Sequence, residues 1–502
     1  VTTQQEISEE TLEAMAAIAK AQTTGITTAT GITSYDLSSL VSQVPVVTPF
    51  FDMIPTEKST DGNKYAVWRA ILNSNAAQPD PATPFDFAGS ELVFSEQDFQ
   101  AAYKVLSFDT IVTQDSYDLA LGYADPFAVA TFNLVNQMLI AKDRKFIGAQ
   151  SFALVQPSAP SLTTAATGGT ITSGTTVYVG VAARTGSGYY YGSGNSRGAS
   201  ASITAGTTTS TNKVTATVTS VRGGVCYDWF QSADGTTWYY YTTTTVNTVV
   251  MTKVIAANQA LPSAITVPDL ATGWKGTPGT VPTYNGAADN GSANAADMDG
   301  LLATLSGDYN ATGQWVTTGT GTANPSINTS LDGAALTLTG GTITEIEQYL
   351  FLALWQSIKV SPTAIMVNAA QAQEIANLIL GSNSATTFLN TDKNGRVDVV
   401  AGGRVGHVLN APAGGIPVPI EVHVSLPPGT IAARSDRVPF PQANISSVLA
   451  YRALRDMTQF EYAASRIANT AGGGPRRETE LRCNGAFVNR APLAMSVLQN
   501  VG

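Results

Sequence analysis

The side chains of this chain that could do chemistry are two histidines, two cysteines and one serine in a glycine frame. His407 and His423 are the only histidines in 502 residues. Histidine is the commonest acid–base group near neutral pH and the commonest metal ligand, so two leave little material for either task. Both stand in apolar, strand-like surroundings, Val405-Gly406-His407-Val408-Leu409 and Glu421-Val422-His423-Val424, which predicts packed or edge-strand histidines. Cys226 and Cys483 are too few and too far apart for a disulfide scaffold or a zinc site and read as two isolated small thiols. Gly194-Asn195-Ser196-Arg197-Gly198 matches the G-x-S-x-G elbow, which needs a strand before it, a helix after it and an activating histidine. Here Tyr189-Tyr190-Tyr191 precedes it, Ala199-Ser200-Ala201-Ser202 follows as a strand, and both histidines lie in another part of the chain. A glycine-rich hairpin tip is the expectation. Gly186, Gly188, Gly192 and Gly194 lack the helix N-terminus and lysine of a phosphate loop. The Asn-x-Ser/Thr patterns at Asn290, Asn310, Asn328 and Asn444 are expected by chance in so Ser/Thr-rich a chain. No catalytic, cofactor-binding or metal-ligating residue is assigned, and no cofactor is expected.

Composition points the same way. Only 13% of residues are Asp, Glu, Lys or Arg, against about 25% in an ordinary soluble protein. Polarity comes instead from Thr, Ser, Asn and backbone, with 45 Gly and 24 Pro, a composition suited to loops, β-structure and self-contact. The net charge of -10 argues against a surface built to neutralise nucleic acid. No run approaches the roughly 20 apolar residues of a membrane-spanning helix, and the first residues lack a signal-peptide profile, so a soluble chain without membrane association is expected.

The elements that must position these residues follow from periodicity. Residues 1–54 read as an arm, with Glu6, Glu9, Glu10 and Glu13 in a short Ala-rich helical pattern and Pro49-Phe50-Phe51 closing the segment. Residues 55–104 read as a long two-stranded excursion, outward along 65–69 and returning along 92–94 and 103–108, with Pro79, Pro81 and Pro84 between. Such an excursion is marginal alone and must rest on a neighbour. Asp125 as cap, Pro126 at the first position, and Phe127, Ala130, Leu134, Met138 and Ala141 at spacings of three and four predict a helix to about Lys145, with Phe132, Val135 and Leu139 widening its apolar face.

At Pro157 the composition shifts. Through 276 the chain is rich in Thr, Ser, Gly, Val and Tyr, with strand-like runs at 175–181, 213–218, 226–230, 238–241 and 246–254 and a hairpin turn at 232–236. Strands at this spacing without helical periodicity predict an inserted β-sandwich. Beyond it, Thr344 and Glu347 form a capping-box pattern before a helix from Ile346 to Ile358. Residues 363–367 read as a buried strand, and Asn368 caps a helix that stops at Gly381. Strands are expected at 397–400, 405–409, 420–424, 430–432 and 480–488. The scaffold outside the insert is therefore α+β.

Charge is unevenly placed. Residues 1–57 hold Glu6, Glu9, Glu10, Glu13, Asp36, Asp52 and Glu57 against Lys20 alone. Residues 430–502 hold Arg434, Arg437, Arg452, Arg455, Arg466, Arg476, Arg477, Arg482 and Arg490 against five acids. An acidic arm and an Arg-rich body can pair between subunits, because the planar guanidinium fork makes such pairing specific. Candidate inter-subunit contacts are Glu6, Glu9, Glu10, Glu13, Lys64, Trp68, Arg69, Arg452, Arg455, Arg476, Arg477 and Arg482.

The order of these parts resembles the major capsid proteins of tailed double-stranded DNA bacteriophages, of the Hong Kong 97-type (Johnson) fold. The resemblance rests on Pro49-Phe50-Phe51-Asp52-Met53-Ile54 leading into the excursion and on the helical stretch 125–150. It also rests on Ser330-Leu331-Asp332-Gly333-Ala334-Ala335-Leu336, on Ser361-Pro362-Thr363-Ala364-Ile365-Met366-Val367-Asn368, and on Arg482-Cys483-Asn484-Gly485-Ala486-Phe487-Val488. It implies an N-terminal arm (1–54), an extended loop (55–104), a spine helix with peripheral domain (105–156), and an inserted immunoglobulin-like or fibronectin-like sandwich (157–276). A linker with peripheral domain (277–362), an axial domain (363–450) and a return to the body (451–502) complete it. It also implies that the chain is no enzyme and assembles with itself as homo-pentamers and homo-hexamers into an icosahedral head. The head would enclose double-stranded DNA without reading its sequence, with portal and scaffolding or maturation proteins as further partners. The implied location is the virion capsid, assembled in the host bacterial cytoplasm, with the insert projecting outward. Some relatives crosslink a loop lysine to a neighbour's asparagine; Lys58, Lys64 and Asn484 are possible counterparts, but no catalytic carboxylate is singled out and no crosslink is predicted. Val1 is read as either a proteolytic trim or an alternative start.

A different class, a surface or tail adhesin binding carbohydrate or cell-wall polymer through Tyr189, Tyr190, Tyr191 and 238–241, accounts for the aromatics but not for the helix or the excursion. Deleting 158–276 separates the two, since shells are expected to persist if the insert is decoration. A hydrolase lacks a histidine near any nucleophile.

Overall fold

The computed structural model describes residues 47–59, 63–74, 82, 85, 87–89, 94–120, 125–191, 199–204, 212–235, 237–255, 274–275, 297–339, 341–382, 388–391, 397–400, 405–436, 438, 447–462 and 476–502. The chain divides into two compact units, each built from separated stretches.

The first unit holds Val1–Thr48, Lys104–Lys142 and Ala453–Gly485. Strand Lys104–Thr113 pairs antiparallel with the start of strand Arg476–Asn489, from Arg476 opposite Thr113 to Gly485 opposite Lys104. Helix Pro126–Gly148 begins here and ends in the second unit. Its 23 residues make a rod of about 35 Å. Asp125 caps it as expected, its Oδ1 accepting from Phe127 N–H at 3.0 Å and Ala128 N–H at 3.2 Å. Leu134 and Met138 pack on Leu481 and Cys483, with Leu106 beside them. Phe132, counted on the apolar face, is 60% exposed.

The second unit holds Pro49–Tyr103, Asp143–Arg452 and Ala486–Gly502. Its excursion is real, but the returning strand is not the expected one. Tyr65–Ser74 pairs with Phe94–Ala102, from Tyr65 opposite Ala102 to Ser74 opposite Phe94. The alternation of FSEQDFQAA explains the choice, because Phe99 and Ala101 turn inward while Glu96 and Asp98 meet Arg69. Leu92 and Val93 lie outside the described residues, and 104–113 serves the C-terminal strand instead.

The larger core lies beneath a six-stranded mixed sheet ordered Ile327–Ser330, Ser496–Gln499, Ile431–Arg434, Ala364–Val367, Ile416–Val422 and His407–Asn410. All four residues of Ala364–Val367 are buried, as suits a central strand. It runs parallel to Ile416–Val422, and a parallel pair needs a long crossover, here containing helix Ala369–Ser382. Asn368 Oδ1 accepts from Ala370 N–H at 3.1 Å, the predicted cap. The capping box at Thr344 does not form. Thr344 Oγ1 bonds Thr339 Oγ1, Glu347 accepts from Thr342 Oγ1, and Glu345 accepts from Thr337, so a tight turn takes these side chains before a helix can. Ile346–Leu352 is then π-helical and Ala353–Ile358 α-helical. Strand Leu449–Tyr462, with 14 residues, was not foreseen.

The described strands between 161 and 275 form two antiparallel sheets. One has three strands, Thr248–Met251, Lys213–Thr217 and Ser161–Ala165. The other has five, Trp274–Lys275, Thr237–Thr244, Cys226–Ser232, Thr176–Arg184 and Ala199–Thr204. Val177, Val179, Val181, Tyr227 and Trp229 of the larger sheet share a core with Val214, Ala216, Val249 and Met251 of the smaller. The turn at 232–235 is ordered by Ser232, whose Oγ accepts from Gly235 N–H at 2.8 Å, and Gly235 supplies the positive φ of 72°. All seven residues of Cys226–Ser232 are buried, so the larger sheet is covered on both faces.

Several joints knit this sandwich to its surroundings. Arg222 Nη2 donates to the carbonyls of Leu305, Asn324 and Ser326 at 3.1–3.3 Å. Lys145 Nζ reaches Ser187 Oγ and Asp297 Oδ2, both at 2.7 Å. Asn247 Nδ2 donates to Asp332 Oδ1 at 3.0 Å, and the Tyr190 hydroxyl donates to the Val424 carbonyl at 3.0 Å.

Candidate functional site

The hairpin Tyr65–Ser74/Phe94–Ala102 presents two unlike faces, a direct result of the two-residue period of a strand. On one, Trp68 stacks on Phe99 with ring centroids 6.0 Å apart, and Phe99 meets Trp315 at 5.5 Å and Tyr309 at 5.3 Å. Ala66 and Ala101 pack on Ala486 and Val488. This face roots the hairpin in its own unit. The other face carries Val67 and Ile71, 47% and 62% exposed, and the connecting segment adds Phe85 at 95% and Phe87 at 71%. Bulky apolar groups so bare of cover are the signature of an unfilled contact surface.

Arg69 stands among them and grips the opposite strand. Its Nε donates to Asp98 Oδ1 at 2.7 Å, and its Nη1 lies 3.4 Å from Glu96 Oε2. The hydrogen bond from Arg69 holds the Asp98 carboxyl below the usual carboxylate range and raises the guanidinium in turn. The exposed pair sets register across the hairpin more than it adds stability.

The other candidate contacts are scattered. Lys64 Nζ lies over the Tyr65 ring at 5.8 Å. Arg452 faces Glu57 within the same unit at 3.6 Å, and Arg490 bonds the same carboxylate at 2.5 Å. Arg455 lies over Phe460 at 5.8 Å, and Arg477 over Phe127 at 4.6 Å and Tyr117 at 5.1 Å. Arg482 points outward. Arg476 lies in a strand, its side chain outside the described residues, as are Glu6, Glu9, Glu10 and Glu13. The arm-to-body pairing therefore falls outside what is described, while Arg434, Arg452 and Arg490 are engaged by acids of their own unit. A surface that sequence reasoning missed is the sheet edge formed by His407–Asn410 and Ile416–Val422, where Leu409 is 59% and Ile416 49% exposed. Alternating apolar residues beside Pro417 and Pro419 were the available signal.

The residues with chemical potential are not assembled. His407 is exposed on the edge strand and His423 is buried, matching the expectation for both. Neither cysteine is in a disulfide, both are buried, and burial raises the Cys226 thiol. Ser196 lies outside the described residues, but the strand expected after it is present as Ala199–Thr204. No group of three or more potential metal ligands occurs among the described residues, and no described helix is long and apolar enough to cross a membrane. Trp238 and Tyr240, which the adhesin reading needs at a surface, are 0% and 1% exposed.

No protein-family model matches the sequence. No curated protein matches it either. Among solved structures, the cyanophage A-1(L) capsid asymmetric unit is similar over 92% of this chain and 95% of that one, at 11% identity and a TM-score of 0.43. The capsid of a native GTA particle is similar over 93% and 97%, at 8% identity and 0.39. The capsid of Myoviridae phage XM1 is similar over 92% and 95%, at 9% identity and 0.39.

Proposed function

We propose that this chain is a non-enzymatic shell subunit, the major capsid protein of a tailed bacteriophage with the Hong Kong 97-type arrangement. It would assemble as pentamers and hexamers around double-stranded DNA, with portal and scaffolding or maturation proteins as further partners. The observation that carries the reading is the hairpin, rooted on its own unit by Trp68 and Phe99 and bare along Val67, Ile71, Phe85 and Phe87. The bare face of such a ribbon gains further stability by lying on another surface, and a repeated copy of the same chain supplies one. The second bare strip, Leu409 and Ile416 on a sheet edge, gives the subunit another contact direction. Low charge agrees with a surface largely covered by copies of itself.

In this reading the two antiparallel sheets are an immunoglobulin-like insert. Trp229 at the centre of the shared core supports that, and the three-stranded sheet, with Val250 47% exposed, is the side that meets the shell exterior. Electron microscopy of the purified protein or its parent particle tests the function. Closed shells or capsomers are expected, and a monomer that never associates at any concentration sinks the reading.

A further inference from the structure

The hairpin Tyr65–Ser74/Phe94–Ala102 is supported at separate places along its length. At its base, Tyr103 N–H donates to the Lys64 carbonyl at 3.2 Å, and Ala66 and Ala101 pack on Ala486 and Val488. Further out, a second and smaller hairpin meets it. Strands Asp308–Tyr309 and Trp315–Val316 pair antiparallel, and the turn between them presents Gly313, whose carbonyl accepts from Gln100 N–H at 3.1 Å. Tyr309 and Trp315, the two legs of this turn, both meet the Phe99 ring, and Trp68, Ala70 and Leu72 border the same cluster. At about 3.3 Å per residue, Ala66 and Leu72 stand about 20 Å apart along the strand, so the supports are spread along the ribbon.

The smaller hairpin is well braced. Asn310 Oδ1 accepts from Thr312 N–H at 3.0 Å, Thr312 Oγ1 at 2.8 Å and Gln314 N–H at 3.0 Å. Asn310 N–H donates to the Gln314 carbonyl and Gly313 N–H to the Asn310 carbonyl, both at 2.9 Å. Tyr309 exchanges backbone bonds with Thr322, and Asp308 Oδ2 accepts from Gly319 N–H at 2.6 Å. Position 313 requires glycine. Its φ is +77°, and a Cβ there would run into the Asp98 carbonyl oxygen and lie 2.6 Å from Phe99 Cα.

The support stops at a defined place. Ile71 is opposite Glu96 but Asn73 is opposite Ser95, which leaves Leu72 as an extra residue in its strand. An extra residue interrupts the ladder and bends the strand that carries it. Up to that point the ribbon is also stapled on its other face, where Arg69 reaches Asp98 and Glu96.

We propose that the turn 310–314 is a clamp that fixes the direction in which the hairpin leaves its unit, and that the ribbon pivots only beyond it, at the Leu72 bulge. Two supports define an axis where one would leave a swivel. The inner stretch, 65–71 with 96–102, therefore moves with the body, and the outer stretch that carries Phe85 swings. This deepens the shell reading and rests on it for its use: a chain placed in both pentamers and hexamers meets its neighbours at two angles, and a swinging end on a fixed root meets both.

Double electron–electron resonance on the full chain tests it, with labels on two introduced cysteines, since Cys226 and Cys483 are buried. One label is placed by Gln356→Cys on the body, the other by Ile71→Cys before the bulge or Phe85→Cys beyond it, all three positions being exposed. The labelled chain is kept unassembled and diluted into unlabelled chain, so the result is the same whether or not electron microscopy finds shells. The Ile71 pair should give one narrow distance and the Phe85 pair a broad distribution. Gly313→Val should abolish the narrow Ile71 peak. A broad Ile71 distribution in the parent chain, or a narrow peak retained in Gly313→Val, overturns the clamp. A Phe85 pair as narrow as the Ile71 pair overturns the pivot. If Gly313→Val does not fold, Asn310→Ala, which removes the acceptor that braces the turn, should broaden the Ile71 peak, and an unchanged peak overturns the clamp.

Discussion

Arg184 Nε is bonded to Asp228 Oδ2 between two adjacent inner strands of the five-stranded sheet, and neither side chain exposes any surface. Asp228 Oδ1 also accepts from Thr243 Oγ1 at 2.5 Å, and the Tyr240 hydroxyl lies 2.7 Å from that same Oγ1. The carboxylate, one of two acids in residues 157–267, thus ties three strands together rather than facing solvent.

Breaking this pair from one side should be severe. Asp228→Asn or Arg184→Met is expected to destabilise the protein by about 3–5 kcal/mol, because a buried charge is left uncompensated. The double replacement Arg184→Met with Asp228→Leu should recover much of that loss. Urea unfolding followed by tryptophan fluorescence reads both. A single-site loss below about 1 kcal/mol means that water reaches the pair.

Arg222 makes a second prediction, about the sandwich as a whole. Its guanidinium satisfies three carbonyls in the 305–326 region, so Arg222→Ala should cost about 1–3 kcal/mol through unpaired acceptors. Deleting 158–276 strips those partners together with the Lys145, Asn247 and Tyr190 contacts. The truncated chain is expected to be insoluble, contrary to the sequence-based expectation that shells persist. Soluble, assembling protein from that deletion would restore the picture of detachable decoration.

Gly148 and Gly186 touch backbone to backbone. A Cβ on Gly148 would lie 2.7 Å from the Gly186 carbonyl carbon, and one on Gly186 would lie 2.8 Å from Gly148 Cα. Glycine to alanine in a helix ordinarily gains up to about 1 kcal/mol. Here either substitution should instead lower Tm. A raised Tm in Gly148→Ala shows that the sandwich can back away from the helix.

The thiols give a simple solution test. Cys226 is 0% and Cys483 1% exposed, and burial raises the Cys226 thiol further from its reactive form. Native protein at pH 8 should leave both unmodified by a maleimide within hours, and denaturant should release two equivalents. Prompt native labelling at Cys226 contradicts the closed sheet.

Much of this was legible in the chain itself. Asp125 and Asn368 sit at the helix starts that local capping chemistry dictates, and the strands of 161–275 follow from alternating Val and aromatic residues. Local signals failed where distant partners compete. Thr344 and Glu347 have the spacing of a capping box, yet Thr339 and Thr342 take their side-chain bonds. Lys104–Thr113 has a strand pattern that fits either partner, and the register against Arg476–Asn489, about 370 residues away, wins. Arg452 lies against Glu57, nearly 400 residues away, a pairing that no short-range pattern shows.

By itself the sequence determined element types, the α+β character, the β-rich segment and the poverty of catalytic groups, because these depend on side-chain type and short-range spacing. Only the tertiary structure decided which face of the hairpin is bare, that the sandwich is knitted in at Arg222 and Gly186, and that Asp143 holds the Phe50 and Phe51 N–H groups. Those outcomes depend on burial, and burial is settled by which remote segments arrive at the same place.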